Sequence, residues 1–160
     1  MTAEPSAKRT SASTARSDLA GVVLAAGLGT RLRPLTDLRP KALCPVNGVP
    51  LVDLALRRVS AQVLGEPAPS GAALTANVAV NAHHHADQVV QHLAGRAHVS
   101  VEQPIALGTA GALGRLRPWI DGRPALVVNA DTWADASDRS PISGPSPSAR
   151  SATRLCSTWP

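Results

Sequence analysis

Short apolar runs alternate with helix-like segments along the middle of the sequence, and this alternation limits the possible folds more than any other feature. The runs are rich in Val, Ala and Leu, and the segments between them place apolar residues at the spacing of an amphipathic helix. Strands that are joined by helical crossovers pair in parallel, and helices then cover both faces of the sheet. We therefore predict an α/β fold, a Rossmann-like domain with three α/β/α layers. The predicted strands are 20–26, 77–82, 98–102 and 125–129, and the predicted helices are 51–64, 86–93 and 109–117.

The two ends of the sequence lack this pattern. Residues 1–17 are mostly Ala, Ser, Thr and Arg, and residues 135–160 contain seven Ser and four Pro. Segments with so little apolar surface to bury favour disorder. We predict a disordered leader at 1–17, the N-terminal part of one domain at 18–134, and a disordered Ser/Pro-rich tail at 135–160. A transit peptide is the alternative for the leader, but the segment has no amphipathic apolar face.

The composition argues against several classes of function. The net charge of +5 is divided among the leader, the middle and the tail, and Phe and Tyr are absent, so we expect no surface for nucleic acid. No apolar run approaches the ~18 residues that a membrane span requires. The two distant cysteines, Cys44 and Cys156, imply neither a metal site nor a disulfide framework. We expect a cytoplasmic protein without a membrane partner.

The stretch after the first predicted strand is suited to binding a polyphosphate. Gly27 and Gly29 allow a sharp turn with exposed N–H groups, and successive N–H groups form a concavity that binds anions. Arg31 adds a planar fork of donors and Lys41 a compact positive charge, while three prolines stiffen the segment. Two better-known phosphate loops do not fit. A Walker A loop requires Gly-Lys-Ser/Thr, and the dinucleotide fingerprint requires a third glycine where this chain has Leu32.

The residues from Leu24 to Pro50, LAAGLGTRLRPLTDLRPKALCPVNGVP, resemble the signature of the sugar-phosphate nucleotidyltransferases, which make nucleotide-diphosphate sugars. Two later segments, GTAGAL at 108–113 and VVNADT at 127–132, are similar to further motifs of that family. Residues 129–133 and 81–83 resemble the N-acetylmuramate-1-phosphate uridylyltransferases and the mannose-1-phosphate guanylyltransferase-like members. The resemblance implies a GT-A-like nucleotidyltransferase domain.

The resemblance also implies a reaction and a set of site residues. An NTP and a sugar 1-phosphate would be the substrates, and in-line attack on the α-phosphate, with Mg²⁺ as cofactor, would give an NDP-sugar and pyrophosphate. Arg31 and Lys41 would be catalytic, and Asp131 would bind Mg²⁺. Glu102, with the start of the GTAGAL segment, would line the base and ribose. The expected nucleotide-binding residues are Ala26, Gly27, Gly29, Thr30, Arg31, Glu102, Gly108 and Thr109.

The resemblance ends soon after Asp131, whereas catalytic domains of the family continue and supply a second metal aspartate. We therefore expect a chain that is truncated after the first metal aspartate, and we assign neither Asp135 nor Asp138 to the metal. Three explanations stay open: a truncated or frameshifted product, a half-enzyme that needs a second chain, and a non-catalytic nucleotide-binding or regulatory module. A sheet without its later strands exposes an edge, so self-association is also expected.

Three other features are expected to have structural roles. The consecutive histidines 83–85 lack the i, i+4 spacing of a helical metal site, and we expect a solvated turn there. Cys44 is expected to be a buried small apolar residue. Trp119 and Trp133 are expected to pack rather than to stack on a ligand.

Overall fold

Residues 17–69 and 71–132 are described by the structure, a computed structural model, and they form a parallel sheet between two helical layers. Two short 3-10 turns, Thr30–Leu32 and Lys41–Leu43, lie in the segment between the first two strands. In chain order, the helices and strands are β1 (Ala20–Leu24), α1 (Leu35–Leu38), β2 (Pro45–Val46), β3 (Val49–Pro50), α2 (Leu51–Leu64), β4 (Val78–Ala82), α3 (Ala86–Leu93), β5 (His98–Val101), α4 (Gly108–Ile120) and β6 (Ala125–Asn129).

The main sheet has the strand order β5-β4-β1-β6, and every neighbouring pair is parallel. Successive side chains of a strand point to opposite faces. Val23 of β1 accordingly packs in the cluster formed with α2 and α3, whereas Val22 packs with Leu116 of α4 on the other face. These two apolar clusters hold the helices on the sheet, so the α/β, Rossmann-like, three-layer prediction is confirmed. Within the described residues, β6 has no neighbour on its outer edge.

The predicted elements differ from the observed ones at several of their ends, and the short helix α1 was not predicted. The first strand ends at Leu24 rather than at residue 26, because the amide of Ala25 leaves the ladder and bonds to the side chain of Asn81. Helix α4 starts at Gly108 and continues to Ile120, beyond the predicted end at residue 117. The small antiparallel pair of β2 and β3 was not predicted, although its Asn47-Gly48 turn, with φ of +48° and +78°, carries a strong hairpin signal.

The predicted disordered leader and tail fall almost entirely on residues outside the described part of the chain, as do Trp133, Asp135, Asp138 and Cys156. The boundaries at 17 and 135 therefore stay predictions. Among the described residues, no helix has the length and apolar character that crossing a bilayer requires.

Candidate functional site

A cleft of about 620 Å³ lies at the carboxyl ends of β1 and β6. Ligands of parallel α/β sheets bind at this edge, because the loops that follow the strands meet there. All the predicted site residues except Glu102 line the cleft, so the structure brings together residues that lie up to about 100 positions apart in the sequence. The predicted residues on its wall are Ala26, Gly27, Gly29, Thr30, Arg31, Lys41, Gly108, Thr109 and Asp131.

Residues 25–32, called the glycine loop below, follow β1 and form one wall of the cleft. Gly29 has φ of +64°, and a Cβ atom there would lie 2.8 Å from Cγ2 of Thr36 and 3.0 Å from Cβ of Lys41. A side chain at this position would be strained and would also clash, so the loop requires glycine. Gly27 differs, because a Cβ atom there would meet nothing within 4 Å. Packing therefore does not require glycine here. The missing side chain keeps this part of the cleft open.

Two charged side chains of the cleft, Lys41 and Asp131, form an ion pair. Nζ of Lys41 donates to Oδ2 of Asp131, which lies just beyond the end of β6. This hydrogen bond holds the pKa of Asp131 below its usual value; the positive charges of Lys41 and, more weakly, Arg31 act in the same direction, and burial opposes them. Lys41 and Asp131 therefore neutralise each other in this structure. Arg31 is a second cation in the lining of the cleft.

Asp131→Asn is expected to lower the free energy of unfolding at about pH 7 by less than about 1 kcal/mol, because the Asp131 side chain is 44% exposed and exposed ion pairs contribute little. The folded-state pKa of Asp131 is lowered, so the pair stabilises the fold above the ordinary pKa of 3.8 and loses this effect as the pH falls through the folded-state value. Urea unfolding of both proteins at neutral pH and in steps below pH 4 measures the difference. A difference that stays constant into strong acid would contradict this assignment.

Glu102 does not line the cleft, contrary to the prediction. It is 0% exposed, and its carboxylate accepts hydrogen bonds from Nδ2 of Asn81 at 2.8 Å and from the amide of Leu107 at 2.7 Å. Oδ1 of Asn81 in turn accepts from the amide of Ala25 at 2.6 Å. This buried network joins the start of the glycine loop to the residue before α4. Glu102 thus supports the wall of the cleft from behind.

Asn81 is a polar residue of the cleft that sequence reasoning missed. It is the polar residue in VAVNA, a strand in which every residue is buried. A buried amide side chain needs hydrogen-bond partners, so its position in an apolar run was the available signal.

His84 and His85 do lie in a turn, as predicted, but the three histidines are not fully solvated. All three are half-buried, and each ring contacts a backbone carbonyl oxygen. Nδ1 of His83 lies 2.9 Å from the carbonyl of Glu102, at the end of the same network. Cys44 is buried, as expected. Trp119 stacks on His98 with 5.6 Å between ring centroids, which agrees with the predicted packing role.

The side chains of the cleft fit a metal cation that is bound partly by the protein and partly by the phosphates of a substrate. In the part of the chain that the structure describes, no three His, Cys, Asp or Glu side chains come together as a metal site. Asp131 does supply one partly exposed carboxylate in the cleft. Mg²⁺ is commonly bound by one or two carboxylates together with phosphate oxygens and water. A single carboxylate beside a space for phosphates is compatible with that mode of binding.

The structure thus has a glycine loop, two cations and a carboxylate at the strand ends of a parallel α/β sheet, an arrangement of groups that is suited to binding phosphates. The model of the nucleotidyl transferase family matches residues 20–142, and the chain belongs to that family. The resemblance to sugar-phosphate nucleotidyltransferases is therefore confirmed.

Two curated relatives have the same name. The N-acetylmuramate alpha-1-phosphate uridylyltransferase of Caulobacter vibrioides is 39% identical over 119 residues, which cover 69% of this chain and 45% of that protein. The enzyme of that name from Neisseria meningitidis serogroup B is 34% identical over 116 residues, covering 71% of this chain and 47% of that protein. The chain thus spans about half the length of the curated relatives that it matches.

Solved structures agree on the fold. The CTP:phosphocholine cytidylyltransferase of Streptococcus pneumoniae matches with a TM-score of 0.52 and 24% identity, over 71% of this chain and 45% of that one. The inositol-1-phosphate CTP transferase of T. maritima matches with a TM-score of 0.51 and 18% identity, over 73% and 44%. At these identities the likeness concerns the fold alone.

Proposed function

We propose that this chain forms the nucleotide-binding part of a sugar-1-phosphate nucleotidyltransferase, which joins an NTP and a sugar 1-phosphate to give an NDP-sugar and pyrophosphate. The observation that carries the proposal is the meeting of the glycine loop, Arg31, Lys41 and Asp131 in one cleft of a chain that belongs to this family. The chain spans about half of its relatives, so the activity of the whole protein is part of the proposal.

The roles come from the resemblance to the family, and the position of each group around the cleft supports them. The backbone N–H groups of residues 27–30 and the guanidinium of Arg31 bind the β- and γ-phosphates, because they form the part of the wall that is rich in donors. Gly108 and Thr109, in the first turn of α4, line the space for base and ribose. Glu102 holds that turn in place from behind through the amide of Leu107.

The reaction asks the protein mainly for positioning and for neutralisation of charge. An oxygen of the sugar phosphate attacks the α-phosphorus in line, the new P–O bond forms, and the bond to the β-phosphate oxygen breaks to release pyrophosphate. Lys41 leaves Asp131 and contacts the α-phosphate and the sugar phosphate. Asp131 would hold Mg²⁺, which when bound would supply positive charge to the phosphate oxygens.

The names of the two curated relatives suggest UTP and N-acetylmuramate α-1-phosphate as the first pair of substrates to test. GTP with mannose 1-phosphate is the second pair, from the sequence resemblance. A cytoplasmic location, where these substrates and Mg²⁺ occur, belongs to the same proposal. Among the described residues the outer edge of β6 is unpaired, and this supports self-association, or a second chain that completes the domain, as the source of further sugar-binding residues.

Release of pyrophosphate from each pair, measured at several protein concentrations, tests the proposal. Lys41→Ala is expected to lower the rate by about 100-fold or more, the range seen when a group that stabilises charge in the transition state is removed. Circular dichroism checks that the variant is folded. Turnover by Lys41→Ala at the wild-type rate would exclude Lys41 from the mechanism. Nucleotide binding without release at any concentration would favour the alternative, a non-catalytic nucleotide-binding or regulatory module.

A further inference from the structure

Three side chains from the segment around the start of α3 hold the carbonyl groups of α1. Nε2 of His84 lies 2.7 Å from the carbonyl oxygen of Thr36, and Nε2 of His85 lies 3.2 Å from that of Asp37. Nε2 of Gln88 donates to the carbonyl of Leu38 at 3.2 Å. The last carbonyl groups of a helix have no partner within the helix, and here three consecutive ones are satisfied from about 50 residues away. We call His84, His85 and Gln88 the histidine bracket.

Thr36 connects this bracket to the glycine loop. Its side chain is 0% exposed, and its hydroxyl donates to the carbonyl of Gly29 at 2.9 Å. Its methyl group also fills the space that a side chain on Gly29 would need. One continuous path therefore runs from the ring of His84 through Thr36 to Gly29. None of the three bracket residues lines the cleft, so none of them touches a ligand there.

We infer that His84, assisted by His85 and Gln88, is a positioning residue that holds the glycine loop in its phosphate-binding conformation. This inference rests on the proposed function for its ligand, a nucleoside triphosphate. Whether the histidine bracket holds the glycine loop can be tested in the ligand-free protein.

The hydrogen bond between His84 and the carbonyl of Thr36 can be removed by one substitution of His84 and retained by another. A carbonyl oxygen only accepts, so Nε2 of His84 carries the proton that it donates. His84→Phe keeps a ring of similar size and removes the donor. His84→Gln retains an N–H donor at a similar reach from the backbone. His92→Phe is the matched control, because the ring of His92 contacts Asp53 on α2 rather than the glycine loop or α1.

Trypsin reports on the loop in the ligand-free protein. Residues 25–41, the glycine loop and the segment after it, contain four basic residues. Arg33 and Arg39 precede proline and resist cleavage, which leaves the bonds after Arg31 and Lys41. We expect His84→Phe to be cut at these two bonds at least about 5-fold faster than the wild type, and His84→Gln and His92→Phe to be cut at nearly the wild-type rate. Equal cleavage of His84→Phe and wild type would overturn the inference, as would equally fast cleavage of His84→Gln or His92→Phe.

Comparison of UTP with UMP, both with Mg²⁺, reports on the ligand. The glycine loop faces the β- and γ-phosphates in the proposed function, so His84→Phe should lose about 10-fold in affinity for UTP and almost nothing for UMP. A loss shared by both nucleotides would indicate general damage and overturn the positioning role. If the wild-type chain binds UTP no better than UMP, the proposed function is wrong, and the trypsin result alone then decides whether the bracket controls the loop.

Thr36→Val provides an independent variant should His84→Phe not fold. It removes the hydroxyl that donates to Gly29 and keeps the branched shape of the side chain. The same faster cleavage after Arg31 and Lys41 is expected, and wild-type cleavage in folded Thr36→Val would overturn the inference.

Discussion

Arg31→Glu is expected to weaken the binding of Mg²⁺-UTP by about 100-fold or more, whereas Arg33→Glu should leave it nearly unchanged. Arg31 lines the cleft, but Arg33 is 65% exposed and pairs with Asp37 outside it. Hydrogen bonds to charged groups contribute about 1.5–3 kcal/mol, and reversing the charge adds repulsion to their loss. A difference of about 1.4 kcal/mol is tenfold in affinity. Both variants change the net charge equally, so their comparison isolates the position of the charge.

Titration calorimetry at about 0.15 M salt measures this difference, because exposed charges that act at long range are largely screened there. The series should include GTP and CTP, so that a preference for another base is detected. Circular dichroism of both variants verifies the fold. Binding by Arg31→Glu at wild-type strength would remove the glycine loop from the triphosphate site.

Glu102→Leu is expected to lower the free energy of unfolding by about 3–5 kcal/mol, the largest loss of stability that we expect in this molecule. The substitution leaves Nδ2 of Asn81 without an acceptor in a buried place and the amide of Leu107 without one in a partly buried place, and each orphaned group costs about 1–3 kcal/mol. Glu66→Leu, at an exposed position, is the control and should change stability by less than about 0.5 kcal/mol. Urea unfolding followed by circular dichroism gives both values.

The same hydrogen-bond network can be tested by one substitution that mismatches its donors and acceptors and a second that matches them again. In Glu102→Gln, the new amide group faces either Asn81 or the amide of Leu107, so one donor meets another donor, and we expect a loss of about 2–3 kcal/mol. Combining it with Asn81→Asp lets the introduced glutamine donate to the introduced carboxylate and accept from Leu107, while Ala25 keeps its acceptor. The pair should recover more than half of the loss. A double variant no more stable than Glu102→Gln would contradict the proposed pattern of bonds.

The layers of the fold and most of the cleft were predictable, because the relevant signals are local. Apolar runs predicted the four strands of the main sheet, and the glycines with Arg31 and Lys41 indicated the segment that lines the cleft. The rule that parallel strands end at one edge then brought Asp131 to the same place. The pairing of Lys41 with Asp131 at that edge was not predicted.

The misassigned residues are those whose neighbours come from distant segments. A carboxylate at the end of a strand can face a cleft or the interior, and for Glu102 the choice depends on the amide of Asn81, which belongs to another strand. The histidines at 83–85 face α1, which no local pattern placed beside them. Burial and hydrogen bonding of polar groups are tertiary properties, so spacing along the chain could not reveal them.

The parallel pairing of β1 with β6, in which Ala20 lies opposite Ala125, has a consequence for synthesis of the protein. A ribosome releases the glycine loop long before it releases Asp131. Pairings between residues so far apart in sequence form slowly, because a long loop must close first. A nascent chain therefore exposes Lys41 and one edge of β1 until β6 emerges, and the cleft is completed only then.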